Sequence, residues 1–129
     1  MPNLKAYKNS QVECPVAPYT LFVEPTNHCN LKCTFCPQKY QKRSLGFLDV
    51  GLFRESTEEA AQIGVRKFNL FFLGESLMHK SLFEMIRLAK NNGIQTRLNT
   101  NASFLDNKRA EELLETGLDL LTVSFEGVN

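Results

Sequence analysis

The stretch EEAAQIGVRKFNLFF (58–72) runs an amphipathic segment into a glycine, Gly64, and then into an apolar run. The same order returns in IRLAKNNGIQTRLNT (86–100) and again in EELLETGLDLLTVSF (111–125). Gly64, Gly93 and Gly117 each fall just past a candidate helix end, at the left-handed position that penalises any side chain. Ahead of them, Leu52, Phe53, Ala60 and Ile63 share one helical face, Leu82, Phe83, Ile86 and Ala89 a second, and Ala110, Leu113 and Leu114 a third. These are the i, i+3, i+4 and i+7 relations of a stripe that faces a core. Asp49 and Asp106 stand where the first and third helices would need an N-cap. The apolar runs 68–73, 94–99 and 120–125 read as strands, and 19–24 is a fourth, ahead of the cysteines. Strands alternating with helices predict an α/β fold, a parallel sheet of about four strands with three helices joined by right-handed crossovers.

Composition sets the outer limits. The chain has 129 residues, 43% hydrophobic and 22% charged, which suits one globular domain. A formal net charge of +1 lacks the basic bias expected of a nucleic-acid or membrane-surface partner. The polar start, MPNLKAYKNSQVE, has no apolar core for a signal peptide or a membrane span. A closed eight-stranded β/α barrel takes about 250 residues, whereas here residue 125 ends only the fourth predicted strand. The expectation is therefore a truncated partial barrel: a fragment, or a half needing a partner, with 1–18 as an N-terminal extension and 19–129 as the N-terminal part of the barrel. Its last strand would leave an apolar edge, which native proteins usually cover.

Between the first strand and the first helix lies HCNLKCTFCP (28–37), with Cys29, Cys33 and Cys36 spaced C-x3-C-x2-C. Four cysteines without an export signal point to a reducing compartment, where clustered thiols bind metal or do redox work. A structural zinc site would need a fourth ligand from His28 or Cys14. A dithiol motif would use Cys33 and Cys36 and leave Cys29 unexplained, and the following PQKYQKRSLG reads as loop rather than the helix such a motif opens. Three buried thiols acting as small hydrophobes are a third reading. The fourth is a [4Fe–4S] cluster held by three thiolates, with one iron left open to bind a small molecule.

Cys29, Cys33, Phe35 and Cys36 together resemble the C-x3-C-x-Φ-C hallmark of the radical S-adenosylmethionine (SAM) superfamily. The resemblance runs from YTLFVEPTNHCN to TVSFEG. FFLGESLMH resembles that family's G-G-E-P-L motif after the second strand, with Leu73 and Ser76 replacing a glycine and the proline. LNTNA resembles a T-N-G at the end of the third strand, with Ala102 for glycine. SFEG resembles an S-Φ-D-G after the fourth, with Glu126 for aspartate. The combination is similar to the branch that often carries a C-terminal SPASM region, and no such cysteine-rich stretch follows within these residues.

The resemblance implies a partial β/α barrel that binds a [4Fe–4S] cluster through Cys29, Cys33 and Cys36. It implies SAM beside the cluster, with Gly74 and Glu75 holding its amino group, Ser124 its carboxylate or ribose, and Asn99 and Asn101 as further contacts. Phe35 would pack beside the cluster. Reductive cleavage of SAM would give a 5′-deoxyadenosyl radical that takes hydrogen from an unknown substrate, a peptide or a small molecule. A flavodoxin or ferredoxin-type donor and a reducing cytoplasm are implied too. The competing expectation is a non-catalytic iron–sulfur or zinc-binding fragment of such an enzyme, which leaves catalysis by this chain alone open. His28 reads as a loop residue packed near the cluster and His79 as a surface residue opening the second helix. Lys39, Lys42 and Arg43 read as a solvated basic run, and Cys14 as a lone thiol.

Overall fold

The computed structural model describes residues 16–125; Cys14, Glu126 and most of the predicted extension lie outside that range. Four strands form one sheet in the order β1 (Thr20–Phe22), β2 (Lys67–Asn69), β3 (Gln95–Thr100), β4 (Leu120–Val123). Every neighbouring pair is parallel. Helices α1 (Val50–Gln62), α2 (Leu82–Asn91) and α3 (Asn107–Glu115) link them in alternation. The expected four parallel strands and three helices are all present.

The local signals explain where the helices begin and end. The Asp49 carboxylate accepts from Leu52 N and that of Asp106 from Arg109 N, so both predicted caps form. Gly64, Gly93 and Gly117 have φ of 95°, 72° and 77°, the left-handed exits inferred from sequence. Packing corrects the helical faces. In α1 the buried positions are Phe53, Thr57 and Ala60, while Leu52 and Ile63 are exposed. Thr57 tolerates burial because its hydroxyl donates to Phe53 O at 2.7 Å. In α3 only Leu113 is buried, and Leu114 is 80% exposed.

The core lies between the sheet and the helices: Phe53, Phe68, Leu70, Leu77, Leu82, Met85, Ile86, Ile94 and Leu98 are all buried. Strand alternation decides which side chains reach it. Phe68, Thr96, Leu98 and Thr100 face the helices and are buried, whereas Lys67, Asn69, Arg97 and Asn99 alternate onto the opposite, inner face. On β4, Leu120, Leu121 and Val123 are exposed, the apolar edge that the pattern predicted.

Two segments depart from expectation. Pro37–Tyr40 is a 3-10 turn rather than plain loop, with the proline at its start where a missing N–H costs nothing. β2 ends at Asn69 rather than continuing to residue 73, and a second 3-10 turn, Ser76–Met78, precedes α2. The chain between leaves the ladder to build the face on which the three strand ends meet.

Candidate functional site

The cysteine loop is pinned to a strap formed by residues 41–48. Thr26 Oγ1 donates to Gly46 O (2.7 Å), Asn27 Nδ2 donates to Ser44 O (2.9 Å), and Asn27 Oδ1 accepts from Gly46 N (2.8 Å). Gln38 Nε2 donates to Asn27 O at 2.8 Å, which fixes the far side of the loop. The His28 ring stacks on Phe47 at 4.6 Å, and Phe47 meets His79 edge-on at 5.7 Å. His28 is thus a packed loop residue, as expected. His79 is not on the surface and does not open α2, whose N-cap is Ser81. It is buried, and its Nδ1 accepts from Ser81 N (3.1 Å). Nε2 therefore carries the proton and donates to Leu48 O at 2.9 Å. Arg43 belongs to an ion pair with Glu24 (2.7 Å) rather than to a wholly solvated run.

Cys29, Cys33 and Cys36 are free and half-buried, and Cys36 N donates to Cys33 O at 3.1 Å to turn the chain between them. Among the described residues no three Cys, His, Asp or Glu side chains gather tightly enough to grip a single metal ion. A cubane cluster makes no such demand, since each of its thiolates binds a different iron. The donor set, three uncommitted thiols on one loop with two of them at the mouth of a cleft, fits that group.

The segment after β2 docks directly on this loop. A Cβ on Gly74 would lie 2.0 Å from Thr26 O and 2.8 Å from His28 O, so only glycine allows the approach. The next residue fixes it: Glu75 N donates to His28 O at 2.7 Å. The Glu75 side chain is buried and turns to β3. Its Oε1 accepts from Thr100 Oγ1 (2.7 Å) and Leu77 N (3.0 Å), and its Oε2 from Asn101 N (2.8 Å). Three donors are the compensation a buried carboxylate needs.

These contacts leave a cleft of about 270 Å³ between the loop and the strand ends. Of the predicted residues, Cys29, Cys33, Gly74, Glu75, Asn99, Asn101 and Ser124 line it. Cys36 and Phe35 are not on its wall, and Phe35 is 68% exposed. Phe71, Phe72 and Thr100 line it unforeseen. Thr100 could have been suspected from its place at a strand end in LNTNA, but Thr26 and Asn27, which bind the strap, and Phe47 within it carried no spacing signal. A roomier hollow of about 480 Å³ beside Lys80, Asp106 and Arg109 holds none of the predicted site residues. Arg109 lies across it, donating to Leu77 O at 2.8 Å.

A family model described as the radical SAM superfamily matches residues 23–129. The PqqA peptide cyclase of Gluconobacter oxydans is 30% identical over 115 residues, covering 88% of this chain and 32% of that protein. The GTP 3′,8-cyclase of Chlorobaculum tepidum is 35% identical over 102 residues, covering 78% and 31%. The crystal structure of BtrN in complex with AdoMet and 2-DOIA superposes with a TM-score of 0.75 at 25% identity, covering 86% of this chain and 47% of that one. The chain thus spans about three tenths of the length of the curated relatives it matches.

Proposed function

The chain belongs to the radical SAM superfamily, and on that premise we propose that Cys29, Cys33 and Cys36 hold a [4Fe–4S] cluster and that SAM binds in the cleft beside them. The observation that carries the proposal is the cleft itself, which joins two of the cysteines to Glu75, Asn99 and Ser124 from three successive strand ends. Bound there, cluster and SAM would supply reductive cleavage of the C5′–S bond, giving methionine and a 5′-deoxyadenosyl radical that takes hydrogen from the substrate.

The chain's own residues bind and orient. Glu75 offers a fixed negative charge to the ammonium of SAM. Its Oε1 is taken by two donors and its Oε2 by one, so the free acceptor capacity lies on Oε2. Ser124 and Asn99 present polar groups from neighbouring strands, and Phe35 would pack beside the cluster once it is bound. A flavodoxin or ferredoxin-type donor in a reducing cytoplasm would deliver the electron. A peptide is one substrate class consistent with the relatives, since one of them is named for a peptide.

The experiment is anaerobic. The chain is reconstituted with iron and sulfide, reduced, supplied with SAM and assayed for 5′-deoxyadenosine. Iron-dependent absorbance with SAM-dependent product is the expected result. A cluster without any cleavage would refute catalysis by these residues alone, and stoichiometric zinc without iron-dependent absorbance would refute the cluster.

A further inference from the structure

On the inner face of the sheet, Asn69 of β2 and Arg97 of β3 stand directly side by side in register, and Asn99 follows two residues further along β3. Each keeps one buried polar atom without a hydrogen-bond partner: Asn69 Oδ1, Arg97 Nε and Asn99 Oδ1. Asn69 is 7% exposed, so its side chain is largely closed to bulk solvent. Leaving one such atom unpaired costs about 1–3 kcal/mol, and buried polar groups are otherwise almost always satisfied. Three of them on adjacent strands of one face call for an occupant.

Within the four strands the charge on this face is positive, and the nearby Glu24 carboxylate is already held by Arg43 and Leu73 N. Arg97 forms no ion pair among the described residues. Its guanidinium meets only the Phe71 ring, at 5.7 Å, and Thr122 Oγ1, at 3.5 Å. Lys67 adds a second cation one step below, and the inward residues of the four strands include no Asp or Glu. Asn99 and Phe71 also line the cleft assigned above to SAM, whereas Arg97 does not. Arg97 therefore sits one layer deeper, about 7 Å along the strand from Asn99.

We propose that Arg97, flanked by Asn69 and Asn99, anchors the substrate and recognises a carboxylate with neighbouring N–H donors, as in an acidic residue of a peptide. The proposal rests on the SAM reading only for the identity of its upstairs neighbour. A guanidinium edge that offers Nε–H and one Nη–H matches the two oxygens of a carboxylate. The orphaned carbonyls of Asn69 and Asn99 accept N–H groups and repel oxygen-rich ligands. That disfavours phosphate, which would set its remaining oxygens against them.

The test uses the full chain labelled with ¹⁵N-arginine, without cluster or SAM. It is titrated with N-acetyl-glutamate methylamide, with the neutral glutamine analogue, and with the phosphoserine analogue. The Arg97 Nε–Hε signal is identified by its loss in Arg97→Lys. The glutamate probe should shift that signal saturably and bind at least tenfold more tightly than the other two. Arg97→Lys, followed through backbone amides of β3, should weaken it at least tenfold, and Asn69→Leu at least threefold. Arg97→Gln, checked for an unchanged unfolding midpoint, covers the case in which the lysine variant folds poorly. No saturable shift, an equal response to the glutamine probe, or tighter phosphoserine binding would overturn the proposal. A separate SAM titration of the reconstituted chain keeps the two readings apart. Glutamate binding without SAM binding sustains the anchor and removes its neighbour, while SAM binding without a glutamate response removes the anchor alone.

Discussion

Gly74→Ala should destabilise the chain even when no ligand is present. The added Cβ would stand 2.0 Å from Thr26 O, 2.7 Å from Thr26 C and 2.8 Å from His28 O. Carbon and oxygen normally approach no closer than about 3.3 Å, so the two backbones must part by more than ~1 Å. Neither obstacle is the free end of a side chain. Thr26 is tied to Gly46 and His28 to Glu75 N, both at 2.7 Å. Overpacking of this kind costs about 1–3 kcal/mol, and losing the Glu75–His28 bond adds about 1 kcal/mol. The sum, about 2–4 kcal/mol, is a large share of the roughly 5–15 kcal/mol that holds a typical domain together. Urea unfolding followed by circular dichroism reads it directly. Gly46→Ala is the control, because a Cβ there meets nothing within 4 Å; it should stay within about 0.5 kcal/mol of the parent. If Gly74→Ala unfolds at the same urea concentration as Gly46→Ala, the glycine is not reserved for the protein's own backbone.

Two further outcomes test the same structure elsewhere. Ala102 sits at φ 61°, where the resembling motif has glycine; relief of about 1–2 kcal/mol of left-handed strain, less about 0.4–1 kcal/mol for the freer unfolded chain, should make Ala102→Gly modestly stabilising. A urea midpoint that falls or stays put would contradict that strain. Burial opposes the charge of Asp119, but the hydrogen bond from Lys90 (2.7 Å) and the one from Thr96 N (2.7 Å) outweigh it and hold its carboxyl below the ordinary value. A depressed folded-state value means stability that is present at neutral pH and lost as pH falls through it, below about 3.8. Asp119→Asn should therefore be less stable than the parent at pH 7, with the gap narrowing as pH falls below about 3.8. A gap that does not change with pH would show that the carboxylate's charge is not what matters.

What was legible in the sequence is what short range determines. Glycine exits, aspartate caps and the alternation of amphipathic and apolar runs act within a few residues, and they yielded all four strands and three helices. The cleft residues were legible through the resemblance to radical SAM motifs, whose stretches fall at the carboxyl ends of parallel strands, and those ends lie on one side of the fold. The misreadings came where distant segments decide. Leu52, Ile63 and Leu114 complete helical stripes but have no layer above them, so they stay exposed. Thr57, outside the apolar stripe read from sequence, is buried in α1 because its hydroxyl is satisfied inside its own helix. His79 was read from its neighbours in the chain, yet its environment is set by Leu48, 31 residues earlier.

The same distinction separates the two roles of the Gly-Glu pair. Its resemblance to a ligand-binding motif draws attention to SAM, but most of its bonding capacity is spent within the protein. Gly74 admits the cysteine loop, the Glu75 amide ties that loop down, and the Glu75 carboxylate holds the end of β3. Glu75 thus joins its own segment to the cysteine loop and to the end of β3, so the cleft takes this form only when β3 has paired with β2 and the loop has docked. An ammonium arriving there would meet a carboxylate already oriented by three donors, with a single acceptor position left on Oε2. Ordering that would otherwise be demanded on binding is then already met by folding. The altered flanks Leu73 and Ser76 differ in this respect. Leu73 N donates to Glu24 (2.9 Å), a backbone bond that glycine would make equally, whereas Ser76 Oγ donates to Leu70 O (2.8 Å), an anchor that proline could not supply.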